Sequence, residues 1–258
     1  MAKVPNDYEL DFLKNCTKEE LEPLVGILLG TDEKGRIDRG GRISSELEGT
    51  SAFKANYPDH TKYVDEIIEE IQKYGGNTII NLPRGMGVSY HELLCDVAKK
   101  KKVNFKKTQA TSMIEGYLLA QVLDDAWEKM SEDDRQEVIK KTGDVLGSNG
   151  GGLTSTVLIQ IFRLGGWRSY EIAFIIMDAI AKIVLRRTLD LFEYVALGRL
   201  LNFLSGPVGV AISSLWLGLD ITAPAYRVTI PACVYIAALR AMKENEKFAK
   251  AAPAESAT

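Results

Sequence analysis

The sequence predicts a mainly α, multi-helix bundle with an acidic, amphipathic front domain and a strongly apolar, Gly-rich helical back domain. Three observations carry this prediction. Apolar residues recur at helical spacing through the front half, most clearly as the stripe Tyr63, Val64, Ile67, Ile68, Ile71 and Tyr74. Helix-capping residues precede such stripes, as in Thr17 with Glu20 ahead of Leu21, Leu24, Val25 and Leu28. No run alternates with period two for long enough to demand a sheet.

Taken in order, the first helix opens at the Thr17 box and ends near Gly30. The polar, Gly-rich text TDEKGRIDRGGR from Thr31 to Arg42 reads as a loop. Lys34 and Arg36 stand where a calcium loop needs carboxylates. A short helix starts at Ser44 or Ser45, and Asp59 then caps a helix from about His60 to Tyr74, with Gly75 and Gly76 as its stop. Asn77 to Leu82 is short and apolar, and Pro83 to Gly87 is a turn. Ser89 caps a helix carrying Leu93, Leu94 and Val97. Ser112 with Glu115 makes a further capping box, opening a helix through Tyr117, Leu118, Val122, Leu123, Trp127 and Met130. Ser131 with Asp134 begins another that reaches Lys141 and ends near Gly143.

The composition shifts after that. The stretch 147–152, GSNGGG, reads as a flexible hinge centred on Gly150, Gly151 and Gly152, and it lacks the Lys-Ser/Thr that a phosphate loop requires. This divides the chain into a front domain 1–146, an apolar helical domain 153–243 and a flexible tail 244–258. The net charge of −3 conceals the same division: 21 Lys+Arg against 27 Asp+Glu up to Asn149, but 11 against 8 beyond it. Thr154 to Arg163, Ser169 to Arg187 and Leu189 to Leu204 read as three more helices, with Asp178 and Lys182 able to pair across one turn.

From Leu200 to Leu239 almost no charge remains. Leu200 to Leu219 has none, and Ile221 to Leu239 has only Arg227, so each half reaches the length of a bilayer span. Gly206 and Pro207 interrupt one half, and Pro224 and Pro231 are expected to break the other. Ser205, Gly209 and Ser213 place small residues on one helical face, a device for close helix approach. Together with Trp216 and Arg227 they are the candidate contacts to a membrane or a partner. The segment therefore reads as a buried, membrane-capable apolar hairpin, with a constitutive membrane hairpin and a purely soluble core as the alternatives.

Candidate chemistry is sparse. Cys16, Cys95 and Cys233 are far apart and make no C-x-x-C pair, which reads as reduced thiols rather than a disulfide framework or a zinc site. His91 and Cys95 have the spacing of two metal ligands but lack a second pair, so His91 reads as a structural histidine. Glu66, Glu69 and Glu70, and Asp124, Asp125 and Glu128, read as solvated acidic faces, because a di-metal bundle needs Glu-x-x-His. No cofactor, metal or catalytic residue is expected. An enzyme reading would place a pocket around Gly75, Gly76, Asn77 or Arg84 with His91. Six lysines crowd the nine residues from Lys99 to Lys107. They suit a solvated helix end, and Lys100, Lys101, Lys102, Lys106 and Lys107 are also the candidate contacts to an anionic surface. The acidic balance of the chain argues against nucleic acid. The opening MAKVPNDYELDFLKN shows no apolar run after a basic region, so a cytoplasmic location is expected, with inner-membrane association left open.

The texts YELDFLKNCTKEEL, EIQKYGGNTIINLPRGMGVSYHELLCDVAKKKKVNF and DITAPAYRVTIPACVYIAALR closely resemble stretches of the bacterial YaaW-like family. The resemblance runs from about Tyr8 to Arg240. Through the middle region, here about Asp59 to Lys141, that family is grouped with the ubiquinol-cytochrome c reductase chaperones, which help assemble a membrane cytochrome. The resemblance implies a helical, non-enzymatic assembly factor and supplies no catalytic residues. The expectation is a chaperone-like or partner-binding protein whose partner is a protein client or a membrane surface, with oligomerisation left open. The alternative is a membrane-inserting effector of the pore-forming type, whose C-terminal helices enter the bilayer.

Overall fold

The computed structural model describes residues 7–29, 46–78, 87–136, 211 and 226–251, and within them the apolar stripes become inward faces of a helical bundle. A 3-10 turn at Asp11–Asn15 leads into α1 (Lys18–Leu29). A second 3-10 segment at Leu47–Gly49, the short α2 (Ser51–Asn56) and a third 3-10 segment, His60–Tyr63, precede α3 (Val64–Thr78). Then come α4 (Tyr90–Lys100), α5 (Thr111–Lys129) and, from the far end of the chain, α6 (Tyr226–Ala251). No strand occurs among the described residues.

Three of the expected caps form. Thr17 accepts from the Glu20 amide while the Glu20 carboxylate accepts from the Thr17 amide at 2.7 Å. Ser89 and Glu92 make the same reciprocal pair at the start of α4. Ser131 accepts from the Asp134 amide, and residues 132–136 are helical. The Tyr63-to-Tyr74 stripe is buried throughout.

Several local readings are corrected. Asp59 spends its carboxylate on the Thr61 hydroxyl at 2.6 Å and does not cap α3. Ser112 and Glu115 form no box: α5 begins two residues earlier than that cap would place it, with Ala110 at the cap position, and Glu115 is buried in the core. Gly75 and Gly76 do not end α3, which continues to Thr78. The reason lies in packing. A Cβ at Gly75 would meet Val88 Cγ2 at 2.5 Å and Leu93 Cβ at 3.2 Å, so the glycine lets α4 and its entry segment lie against α3. Thr50 caps α2 through the Phe53 amide, while Ser44 and Ser45 lie outside the described residues.

The largest difference concerns the apolar C-terminal segment. α6 packs against α1, α3, α4 and α5, and every residue from Ala232 to Leu239 is buried. Eight consecutive buried positions are more than two helical turns, so the helix is enclosed on all sides. A helix apolar all round is either a core helix or a membrane span. Here residues 228–242 are core, shared with residues 10–130. The last helix of the segment assigned to a back domain at 153–243 thus completes the front bundle. Pro231 sits inside α6 without ending it, because burial on every face outweighs the roughly 3 kcal/mol that an interior proline costs. α6 also runs on to Ala251, past the expected fraying point at Glu244. Among the described residues, no helix is long and apolar enough to cross a membrane.

Candidate functional site

Asp7, Tyr8 and Glu9 lie across the N-terminal ends of α4 and α5. Asp7 Oδ2 accepts from the amide of Tyr90, the first residue of α4, at 2.7 Å and from Gln72 Nε2 at 2.9 Å. Glu9 Oε1 accepts from the hydroxyl of Thr111, the first residue of α5, at 2.7 Å. Both carboxylates sit where the helix dipoles favour negative charge.

Arg240 of α6 closes this arrangement. Its Nη2 donates to the Glu9 carbonyl at 2.6 Å, its Nε donates to Glu115 Oε2 at 2.7 Å, and its guanidinium lies 4.3 Å above the Phe12 ring. The Tyr90 hydroxyl donates to Glu115 Oε1 at 2.8 Å. The Glu115 side chain is 3% exposed and that of Arg240 13%. Burial pushes the Glu115 carboxyl up to about 7, and the Arg240 charge and hydrogen bond act in the opposite direction. Burial also holds the Tyr90 hydroxyl well above its ordinary value, which keeps it a donor.

α6 is tied down along its length by further polar pins. The Tyr226 hydroxyl donates to Asp96 Oδ2 of α4 at 2.8 Å. The Tyr235 hydroxyl donates to the Glu20 carbonyl of α1 at 2.9 Å, and Lys243 pairs with the buried Glu20 carboxylate at 2.6 Å. This helix from the far end of the chain is therefore held in a frame of α1, α4 and α5 by directed bonds from its first residue, Tyr226, through Tyr235 to Arg240 and Lys243.

The lysine run forms the turn after α4. The Lys102 amide donates to the Lys99 carbonyl and the Val103 amide to the Ala98 carbonyl, a Schellman closure with Lys102 in the left-handed region at φ 58°. Lys101 is half-buried and paired with Asp125, which removes it from the expected anionic-surface set. Lys99, Lys100, Lys102, Lys106 and Lys107 are exposed, with Lys100 5.1 Å above the Tyr226 ring. Val103 and Phe105 are half-buried against the core.

His91 is not half of a metal pair. Its Nε2 donates to the Lys107 carbonyl at 2.8 Å, and its Nδ1 lies 3.0 Å from the Thr111 hydroxyl that donates to Glu9. The thiols of Cys16, Cys95 and Cys233 are buried, and none is in a disulfide. Among the described residues, no group of three or more His, Cys, Asp or Glu side chains is placed to hold a metal. Of the acidic faces, Glu70 is buried and accepts from the Glu46 amide, while Asp125 holds Lys101 and Gln121.

Arg227 lies in the first turn of α6. Ser205, Gly209, Ser213 and Trp216, the hinge at Gly150, Gly151 and Gly152, the helices expected between Thr154 and Leu204, and Arg84 all lie outside the described residues. The sequence reading missed the Arg240–Glu115 pair and the role of Glu9. One signal was there: Arg240 is the first charge after a long apolar run, and a charge in that place needs a partner.

No family model and no solved structure matches the chain. Curated relatives do. A UPF0174 protein of Helicobacter pylori (strain J99) is 38% identical over 240 residues, covering 91% of each chain. A UPF0174 protein of Helicobacter pylori (strain 26695) is 38% identical over 77% of this chain and 97% of its own. UPF0174 protein YaaW of Escherichia coli (strain K12) is 32% identical over 92% of this chain and 95% of its own. These matches carry the YaaW-like family and not its wider grouping with the reductase chaperones. With relatives at this identity aligned over nine-tenths of its length, the chain belongs to the UPF0174 family.

Proposed function

We propose that the chain is a non-enzymatic, partner-binding protein of the chaperone-like kind, whose bundle receives an apolar helix and holds its own α6 in that place. One observation carries the reading. A helix from the far end of the sequence, buried at every position from Ala232 to Leu239, is packed between α1, α3, α4 and α5, with separate polar pins along it instead of a continuous ionic seam. This is the helix-in-groove mode of recognition, filled within one chain. A client helix with apolar faces and a terminal cation matches the same groove when α6 yields.

The test uses a fluorescent peptide of the 226–245 sequence and a scrambled control, added to the full-length chain. The comparison is wild type against an Arg240→Met/Lys243→Met variant, read by anisotropy. Saturable uptake that increases when the pins are removed supports exchange at the groove. No uptake by a variant that keeps its helical circular dichroism rejects it.

A further inference from the structure

The turn between α4 and α5 presents charge in a way its folding does not require. Helix stops of the Schellman type favour glycine or asparagine at the left-handed position, yet Lys102 occupies it at φ 58°. Beyond it, exposure alternates. Lys102, Asn104 and Lys106 face solvent, while Val103 and Phe105 turn inward against the core. The segment is thus anchored by apolar side chains and by backbone bonds, from the Val103 amide to Ala98 and from His91 to the Lys107 carbonyl. Lys99 and Lys100 extend the exposed charge back onto α4, and Lys107 carries it forward.

Neighbouring carboxylates are engaged elsewhere. Asp125 holds Lys101, Asp96 accepts from Tyr226, and Glu92 serves the Ser89 cap. What remains is a short, pinned, outward-facing ridge of five lysines on a protein of net charge −3.

We infer that this ridge docks the protein peripherally on a membrane surface rich in anionic lipid headgroups. A solvent-facing patch of lysines suits a flat array of negative charge, and the acidic balance of the chain argues against nucleic acid. Each lysine near such a surface contributes about a fivefold gain in partitioning, screened by salt. The inference stands apart from the helix-exchange reading, and its readout does not involve α6.

The experiment is co-sedimentation of the full-length chain with vesicles of phosphatidylcholine alone or with 30% phosphatidylglycerol, a composition of roughly bilayer-like anionic density. Expected is pelleting that depends on phosphatidylglycerol, weakens as salt rises and falls by about a hundredfold in the Lys102→Gln/Lys106→Gln/Lys107→Gln variant. The single change Lys102→Gly is expected to raise the melting temperature, because it relieves the left-handed lysine, and to lower vesicle partitioning by about fivefold. All three side chains are exposed, so a melting curve shows whether the triple variant still folds. Equal pelleting with both vesicle types, or undiminished pelleting of the folded triple variant, overturns the inference. So does retention of single-stranded nucleic acid by wild type without vesicle binding, which would reassign the ridge.

Discussion

Replacing Arg240 by methionine tests the pin that joins α6 to the rest of the bundle. The guanidinium is 13% exposed and donates to Glu115 and to the Glu9 carbonyl. Methionine keeps most of the stem over Phe12 and removes the charge, leaving the Glu115 carboxyl buried against the Tyr90 hydroxyl. Removing one member of a buried ion pair costs about 3–5 kcal/mol. At roughly 2–4 °C per kcal/mol for a chain of this size, the melting temperature is expected to fall by about 10 °C. Glu115→Leu alone should cost a comparable amount by stranding Arg240. The double variant should cost at least about 2 kcal/mol less than the sum, because neither charge is then left alone. The assay is urea unfolding followed by circular dichroism across the four proteins. A cycle additive to within about 0.5 kcal/mol, or an Arg240→Met cost below about 1 kcal/mol, would refute the claim that this pair is a buried, mutually dependent pin.

Gly75→Ala separates a helix stop from a packing contact. At an open helical site alanine would stabilise by about 0.5–1 kcal/mol, but here the new methyl meets Val88 and Leu93, and a net loss of about 1–2 kcal/mol is expected in thermal unfolding. Tyr235→Phe removes one buried bond to the Glu20 carbonyl and should cost about 1 kcal/mol by chemical denaturation without altering helix content. Burial lowers the His60 imidazole to about 4, with the Lys18 charge acting in the same sense. A folded value below the ordinary 6.5 means that the unfolded chain takes the proton first. The stability tied to neutral His60 is therefore present above pH 6.5 and is lost as pH falls toward 4. The stability gap between wild type and His60→Gln should narrow by about 1 kcal/mol between pH 7.5 and pH 5, a figure reduced for partial solvent screening. A constant gap would show that the ring protonates as easily in the fold as outside it.

The front of the bundle was legible because its signals are local. The Thr17–Glu20 and Ser89–Glu92 boxes involve residues three apart, and the Tyr63-to-Tyr74 stripe follows from helical period alone. Misreadings arose wherever a local signal had a distant competitor. Glu115 fits a capping box by spacing, but Arg240, 125 positions further on, and Tyr90 take its carboxylate into the core. Gly75 fits a stop by composition, but Val88 and Leu93 need the space a side chain would fill. His91 and Cys95 are not among the misreadings: the spacing alone fits a ligand pair, but with no second pair His91 reads as structural, and in the fold it turns to Thr111 and Lys107.

The sequence by itself determined a helical chain, the caps of α1 and α4, the buried face of α3, the crowding of lysines after α4 and the membership in the UPF0174 family. Only the tertiary structure decided where the apolar residues 226–242 go. Hydropathy measures how strongly a segment avoids water and is silent on whether protein or lipid takes its place. The answer came from groups that periodicity does not register: the hydroxyls of Tyr226 and Tyr235, the Arg240 guanidinium and the Lys243 ammonium, each meeting a partner more than 100 positions away. Those partners exist only once α1, α4 and α5 have been brought together, which is why the placement of α6 is a property of the assembled core and not of its own residues.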